Sequence, residues 1–176
     1  PAVLSVQYWM ARFGWIQTRF DKIYPIKISH PKLLASATLI ISGLGLIALG
    51  VLPNYLFALL WISPLFIVVS LQALLEEPHV LAGISRGNWQ AVISAALAAL
   101  FCGLFWETWN FYSLAKWKYS VPFVHRFLIF EMPILGYAGY LPFGLECLAV
   151  GKLLEGLPAF TRTASVSAQT DHPPGR

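Results

Sequence analysis

Apolar residues run almost unbroken through four stretches of the chain, 33–52, 55–75, 89–111 and 127–150, and polar residues gather between them. Leu33–Leu52 has 20 residues and no charge. At 1.5 Å per residue, a helix of that length crosses a hydrocarbon core of about 30 Å. Tyr55–Leu75 is also charge-free, and the Pro53-Asn54 turn before it is so short that the two helices must run antiparallel. Ser63-Pro64 near the middle of this run predicts a kink, because proline frees a carbonyl of the preceding turn. Trp89 opens the third run as an interfacial anchor. Pro133 and Pro142 interrupt the fourth, which reads as two half-helices. The pattern predicts an all-α integral membrane bundle of four transmembrane helices, in a single domain over 1–156.

Residues 1–32 are aromatic and basic. Trp9, Phe13, Ile16 and Phe20 fall within a narrow arc at 100° per residue, with Arg12 and Arg19 at its edge. That is the pattern of a helix lying in the interface with its cations snorkelling to headgroups. The competing reading makes Pro1–Ala11 the end of a truncated span. The chain opens on proline, which places the initiator, with room for an earlier segment, upstream. Ser36, Gly43 and Gly50 form one stripe of small residues; Ala91, Ala95, Ala99 and Gly103 form another, and either would let a neighbouring helix approach closely. Residues 157–176 are polar and predicted to be disordered.

Composition agrees with membrane insertion: 57% of the 176 residues are hydrophobic and only 11% charged, against roughly one quarter charged in soluble domains. The net charge of +4 comes from basic residues outside the apolar runs. It therefore reports topology and contact with anionic membrane lipids, and no nucleic-acid partner is expected. Nine Lys and Arg fall on the side of the two termini and three on the other. Both termini are thus expected to be cytoplasmic. Cys102 and Cys147 read as small buried hydrophobes. Glu76-Glu77-Pro78-His79 matches no zinc spacing and no glycine loop could cradle a phosphate, so neither metal nor cofactor is expected.

Candidate chemistry gathers between Phe105 and Glu146. Glu107, Glu131 and Glu146 lie within or beside apolar runs, where an ionisable group costs at least ~2.5–3.5 kcal/mol and needs a partner, a proton or a function. Glu107 and Asn110, three residues apart, project to one side of the third helix and can share a hydrogen-bond network. Glu107 near the end of that helix and Glu131 near the start of the next should share the outer depth, with Lys116, Lys118 and Arg126 close enough to compensate them. Trp106, Trp109, Trp117 and Tyr119 are expected to wall the space, with Tyr137 beyond. Glu146 belongs to the inner half, facing the Glu76–His79 corner.

Two readings of the outer cluster follow. In one, acids pair with loop lysines inside an aromatic belt and lock the loop on the bundle. In the other, the cluster is a pocket with aromatic walls and one or two carboxylates of raised pKa, suited to proton transfer or to stabilising a cation on an apolar substrate. Glu107, Asn110 and Glu131 are its candidate catalytic residues; Trp106, Trp109, Trp117, Tyr119, Tyr137 and Glu146 are its candidate substrate-binding residues.

The series Trp106-Glu107-Thr108-Trp109-Asn110, Lys116-Trp117-Lys118-Tyr119, Phe130-Glu131-Met132-Pro133-Ile134-Leu135-Gly136-Tyr137 and Pro142-Phe143-Gly144-Leu145-Glu146 resembles one carried by a group of bacterial multipass membrane proteins. That resemblance implies the bacterial inner membrane and no particular activity. Trp106-Glu107, Trp117-Lys118-Tyr119 and Glu131-Met132-Pro133 are also similar in order and approximate spacing to lycopene-cyclase-type membrane domains, in which paired glutamates follow the proline; here a single glutamate precedes it. This second resemblance implies an isoprenoid as the substrate class. The expected function is binding or transforming a lipid-soluble molecule, and the competing one is a non-enzymatic scaffold that docks a partner membrane protein or a second copy of the chain.

Overall fold

The computed structural model describes residues 2–119 and 126–155, with the side chain of Glu155 excepted. The tail predicted to be disordered and the centre of the loop around Pro122 lie outside the described residues. The helices are α1 (Ala2–Met10), α2 (Gly14–Arg19), α3 (Pro31–Leu49), α4 (Pro53–Leu56), α5 (Leu59–Leu74), α6 (Gln90–Tyr112) and α7 (Tyr140–Glu155). Short 3-10 helices occupy Ala82–Arg86 and Ile134–Gly139, and β1 (Leu128–Ile129) pairs antiparallel with β2 (Met132–Pro133).

Three segments are long and apolar enough to cross a membrane: Pro31–Leu49, Gln90–Tyr112 and Ile134–Leu154. α5 is shorter, at 16 residues, and runs through Pro64, while the interruption falls earlier, between α4 and α5. The fourth apolar run also begins later than its composition predicts. Phe127 and Phe130 adopt positive φ (54° and 56°), a left-handed conformation that composition gives no sign of. Residues 127–133 therefore form a tight β-hairpin, and the helical part starts at Ile134.

α3 packs on α5, α5 on α7, α7 on α6, and α6 on α1. The α5–α7 contact holds Leu65, Val69 and Ala149, joined by Val80 from the following loop. Between α6 and α7 the predicted small-residue stripe serves as expected. A Cβ added to Gly144 would strike the backbone carbonyl oxygen of Ala95, and one added to Gly103 would come within 2.5 Å of the Tyr140 ring. The stripe on α3 does not. Gly43 has nothing within 4 Å of a Cβ position, and α3 instead turns Ala35, Ser42 and Gly45 inward. Leu33, Leu34, Ile40, Ile41, Leu44 and Ile47 remain exposed, as they would on a lipid-facing helix.

The single amphipathic helix read across Trp9–Phe20 is two helices, because Phe13 is extended (φ −68°, ψ 124°). α1 lies along α6 in the same direction: Leu4 lies beside Gly151 and Gln7 Nε2 donates to Ser94 Oγ at 3.1 Å. The chain turns at Ala11–Phe13 and α2 returns. Gln90 Nε2 then donates to the Gln17 carbonyl at 2.7 Å, and Trp89 N to that of Phe20 at 2.7 Å. The pair forms a helical hairpin beside the first half of α6, anchored by the fully buried Ile16.

Candidate functional site

Glu107 and Asn110 face inward near the end of α6, 0% and 1% exposed. Asn110 acts on the backbone. Its Nδ2 donates to the Trp117 carbonyl and its Oδ1 accepts from the Trp117 N–H, both at 2.9 Å. One amide side chain thereby supplies both hydrogen bonds a strand partner would give, and fixes the loop after α6 over the helix end.

Trp117 passes the network on. Indole is donor-only, so the 2.6 Å contact from Trp117 Nε1 to Tyr119 Oη leaves the phenolic hydrogen of Tyr119 for Glu107 Oε1, at 2.5 Å. Tyr140, at the start of α7, donates to the same oxygen at 2.8 Å. Oε1 thus accepts two phenolic hydrogens, whereas Oε2 is buried with no protein partner. Burial first, and donation to Glu107 second, push the Tyr119 phenol up to about 12. The network predicted for Glu107 and Asn110 exists, and it runs through the loop.

Glu131 lies near the same end of α6 but belongs to a different contact. Its Oε1 lies 2.8 Å from Lys116 Nζ, and that ammonium also sits 4.9 Å from the centre of the Phe111 ring. The expectation of a raised pKa is therefore reversed at Glu131: the hydrogen bond and charge of Lys116 hold the carboxyl below its ordinary range. Here the loop-locking reading fits. For Glu107 the partners are phenols, and no cation pairs with it among the described residues.

The expected aromatic wall is divided. Trp106 and Trp109 are 56% and 69% exposed, so they face away from the carboxyl, although Trp106 tilts against Trp117 with ring centres 6.0 Å apart. Trp117 and Tyr119 do stand beside Glu107. Tyr137 is buried, donates to the Ile129 carbonyl at 3.2 Å and packs against Tyr140 at 6.0 Å. Glu146 lies half-buried on α7, away from this group. At the Glu76–His79 corner Glu76 turns to Lys32 at 2.6 Å; burial, then the charge of Lys152, lower the pKa of His79. Tyr140 went unnamed from the sequence, and the available signal was Gly103, the smallest member of the stripe, placed where a large ring crosses α6.

Tyr137 also lines an apolar groove of about 580 Å³ beside α6. Leu97 and Leu104 form its floor, Met10, Phe13 and Ile16 its lower wall and Tyr137 its upper wall. Its volume is that of a small-molecule pocket, and its lining is almost wholly hydrocarbon. Glu107 follows Leu104 by three residues, less than one helical turn. No group of three or more His, Cys, Asp or Glu able to hold a metal ion occurs among the described residues. No protein-family model, curated protein or solved structure matches the chain.

Proposed function

We propose that the protein is a bacterial inner-membrane protein with cytoplasmic termini that binds or transforms a lipid-soluble molecule in its outer half. α3, α5, α6 and the 134–154 segment are its four spans, with α5, about 24 Å long at 16 residues, the short one. The molecule lies in the groove along Leu97–Leu104, and Glu107 is the proton-handling group at its outer end. Tyr119 and Tyr140 fix the carboxyl, Asn110 orients the loop that carries Tyr119, and Glu131 secures the same loop through Lys116. The observation that carries this reading is a fully buried carboxyl with one unpartnered oxygen, three residues further along α6 than Leu104, which lines the apolar groove. A group so placed is poised for proton exchange with a bound ligand. The similarity to lycopene-cyclase-type domains adds an isoprenoid as the leading ligand class.

The second reading, a membrane scaffold, is favoured by one observation. Asn110 and Glu131 both spend their polar atoms on the loop, as a docking surface held in shape would require. Mass spectrometry on gently extracted protein separates the two. A stoichiometric lipid or pigment that changes in amount or structure in Glu107→Gln supports the pocket. Bulk membrane lipid alone, unchanged by the substitution and accompanied by a co-purifying protein, supports the scaffold.

A further inference from the structure

Two sides of α7 are occupied. Tyr140 and Gly144 meet α6, and Leu145, Leu148 and Ala149 pack with Leu65 and Val69 of α5. Phe143, Glu146, Val150 and Leu153 recur at intervals of three, four and three residues, which sets them in one stripe along the helix. At 100° per residue that stripe is centred roughly 120° around α7 from each of the two contacts. Val150 and Leu153 are 38% and 48% exposed, and Phe143 and Glu146 are partly so.

Glu146 is the one polar member of the stripe, and it makes no ion pair or hydrogen bond among the described residues. Eight residues separate it from Leu154, where the 134–154 segment ends, about 12 Å along the axis. In the spanning arrangement proposed above, that depth is hydrocarbon, where an ionisable side chain needs a partner. Its face points away from α5 and α6, so the partner comes from outside the bundle.

A second copy of the chain meets that need. A neutral carboxyl carries one donor together with acceptor capacity, which makes it complementary to itself. Across a two-fold axis normal to the membrane, a residue on the seam meets its own copy. The spacing of the stripe is also that of a two-stranded helical seam, in which a single polar residue among apolar ones sets register and strand number.

We infer that two copies of the chain associate through α7, with Phe143, Val150 and Leu153 packed across the seam and the two Glu146 carboxyls hydrogen-bonded to each other. The inference rests on the spanning arrangement and is independent of the groove.

A photoreactive benzophenone residue at position 150 of the full-length protein, irradiated in native membranes, identifies what covers the stripe. The expected product has twice the mass of the chain, and the same residue at position 40 of α3 gives none. A product with a different protein overturns the second copy, and adducts with lipid alone overturn the interface. Energy transfer between full-length chains labelled at the N-terminus, followed in vesicles as lipid is added, reads Glu146 itself. Glu146→Leu should raise the mole fraction for half-association by roughly three- to tenfold. Glu146→Gln, whose amide also donates and accepts, should stay near the native value. Equal association of the native protein and Glu146→Leu overturns the carboxyl pair. Val150→Cys, combined with Glu146→Leu and with Cys102 and Cys147 replaced by alanine, checks the arrangement separately. Ready reaction with a charged, water-soluble maleimide places the stripe in water and overturns the spanning arrangement and the inference together. Protection from the maleimide, with lipid adducts alone at position 150, leaves the arrangement standing and overturns the dimer.

Discussion

Tyr140 reaches across from α7 and donates its phenolic hydrogen to Glu107 Oε1 at 2.8 Å, while its ring lies on Gly103 of α6. One side chain thus joins the α6–α7 contact to the buried acid. Removing its hydroxyl deletes a donor to a carboxyl that water does not reach. Tyr140→Phe should cost about 1–3 kcal/mol of stability, and Tyr119→Phe a comparable amount. Because both phenols serve one oxygen, their effects should not add. Reversible unfolding in mixed detergent micelles, run on both single variants and the double, measures the coupling.

Two glycines of the same interface should rank in a defined order. At Gly103 the nearest obstacle to a methyl is the Tyr140 ring, which can shift. At Gly144 it is the Ala95 backbone carbonyl, inside a helix that cannot. Overpacking costs roughly 1–3 kcal/mol where neighbours relax and more where they do not. Gly144→Ala is therefore expected to lower the unfolding midpoint further than Gly103→Ala, and the reverse order would contradict the packing described.

Asn110 offers a cleaner separation of loop from helix. Asn110→Ala removes both hydrogen bonds to Trp117 but leaves the interior of α6 unaltered. The segment Ser113–Tyr119 should then lose amide protection against hydrogen exchange by at least tenfold, with Ala95–Gly103 unchanged. Asn110→Asp keeps the acceptor and loses the donor, so its effect should be intermediate.

The Tyr119 phenol carries a pH signature. Its pKa is raised from the ordinary 10 to about 12, and the neutral, protonated form is the one that donates to Glu107. The stability linked to that proton is whole below pH 10 and is lost as pH rises through about 12. Alkaline titration by tyrosinate absorbance should show a late-ionising component, reduced by one tyrosine in Tyr119→Phe. Loop protection should fall in the same interval.

Length and charge made α3 and α6 legible, since runs of apolar residues as long as a bilayer is thick admit few alternatives. A close-contact face on α6 was equally readable, because Ala91, Ala95, Ala99 and Gly103 recur at the spacing of one helix face, whereas its partner α7 was not. What was hidden depended on tertiary structure. Phe127 and Phe130 look like ordinary span residues, and only the hairpin they enter gives them positive φ. Pro64 is a kink signal at which the helix nevertheless continues. At the site, the sequence joined Glu107 with Asn110 because they share a face. The pairing of Glu131 with Lys116 was one of two readings left open. Tyr140 stayed hidden because aromatic residues are dense throughout this region, and only the partner helix distinguishes the one that reaches the carboxyl.

The central claim is that a ligand chain lies in the groove along Leu97–Leu104 of α6, and photocrosslinking tests it most directly. The full-length protein in nanodiscs is irradiated with a long-chain alcohol that bears a diazirine in mid-chain, and the labelled residues are mapped by peptide mass spectrometry. Labelling concentrated on Trp15 and Leu97–Leu104, and diminished by excess unlabelled probe, is the predicted result. Labelling spread evenly over lipid-facing positions such as Ile40, Leu44 and Ile47 of α3, with no competition, would contradict it.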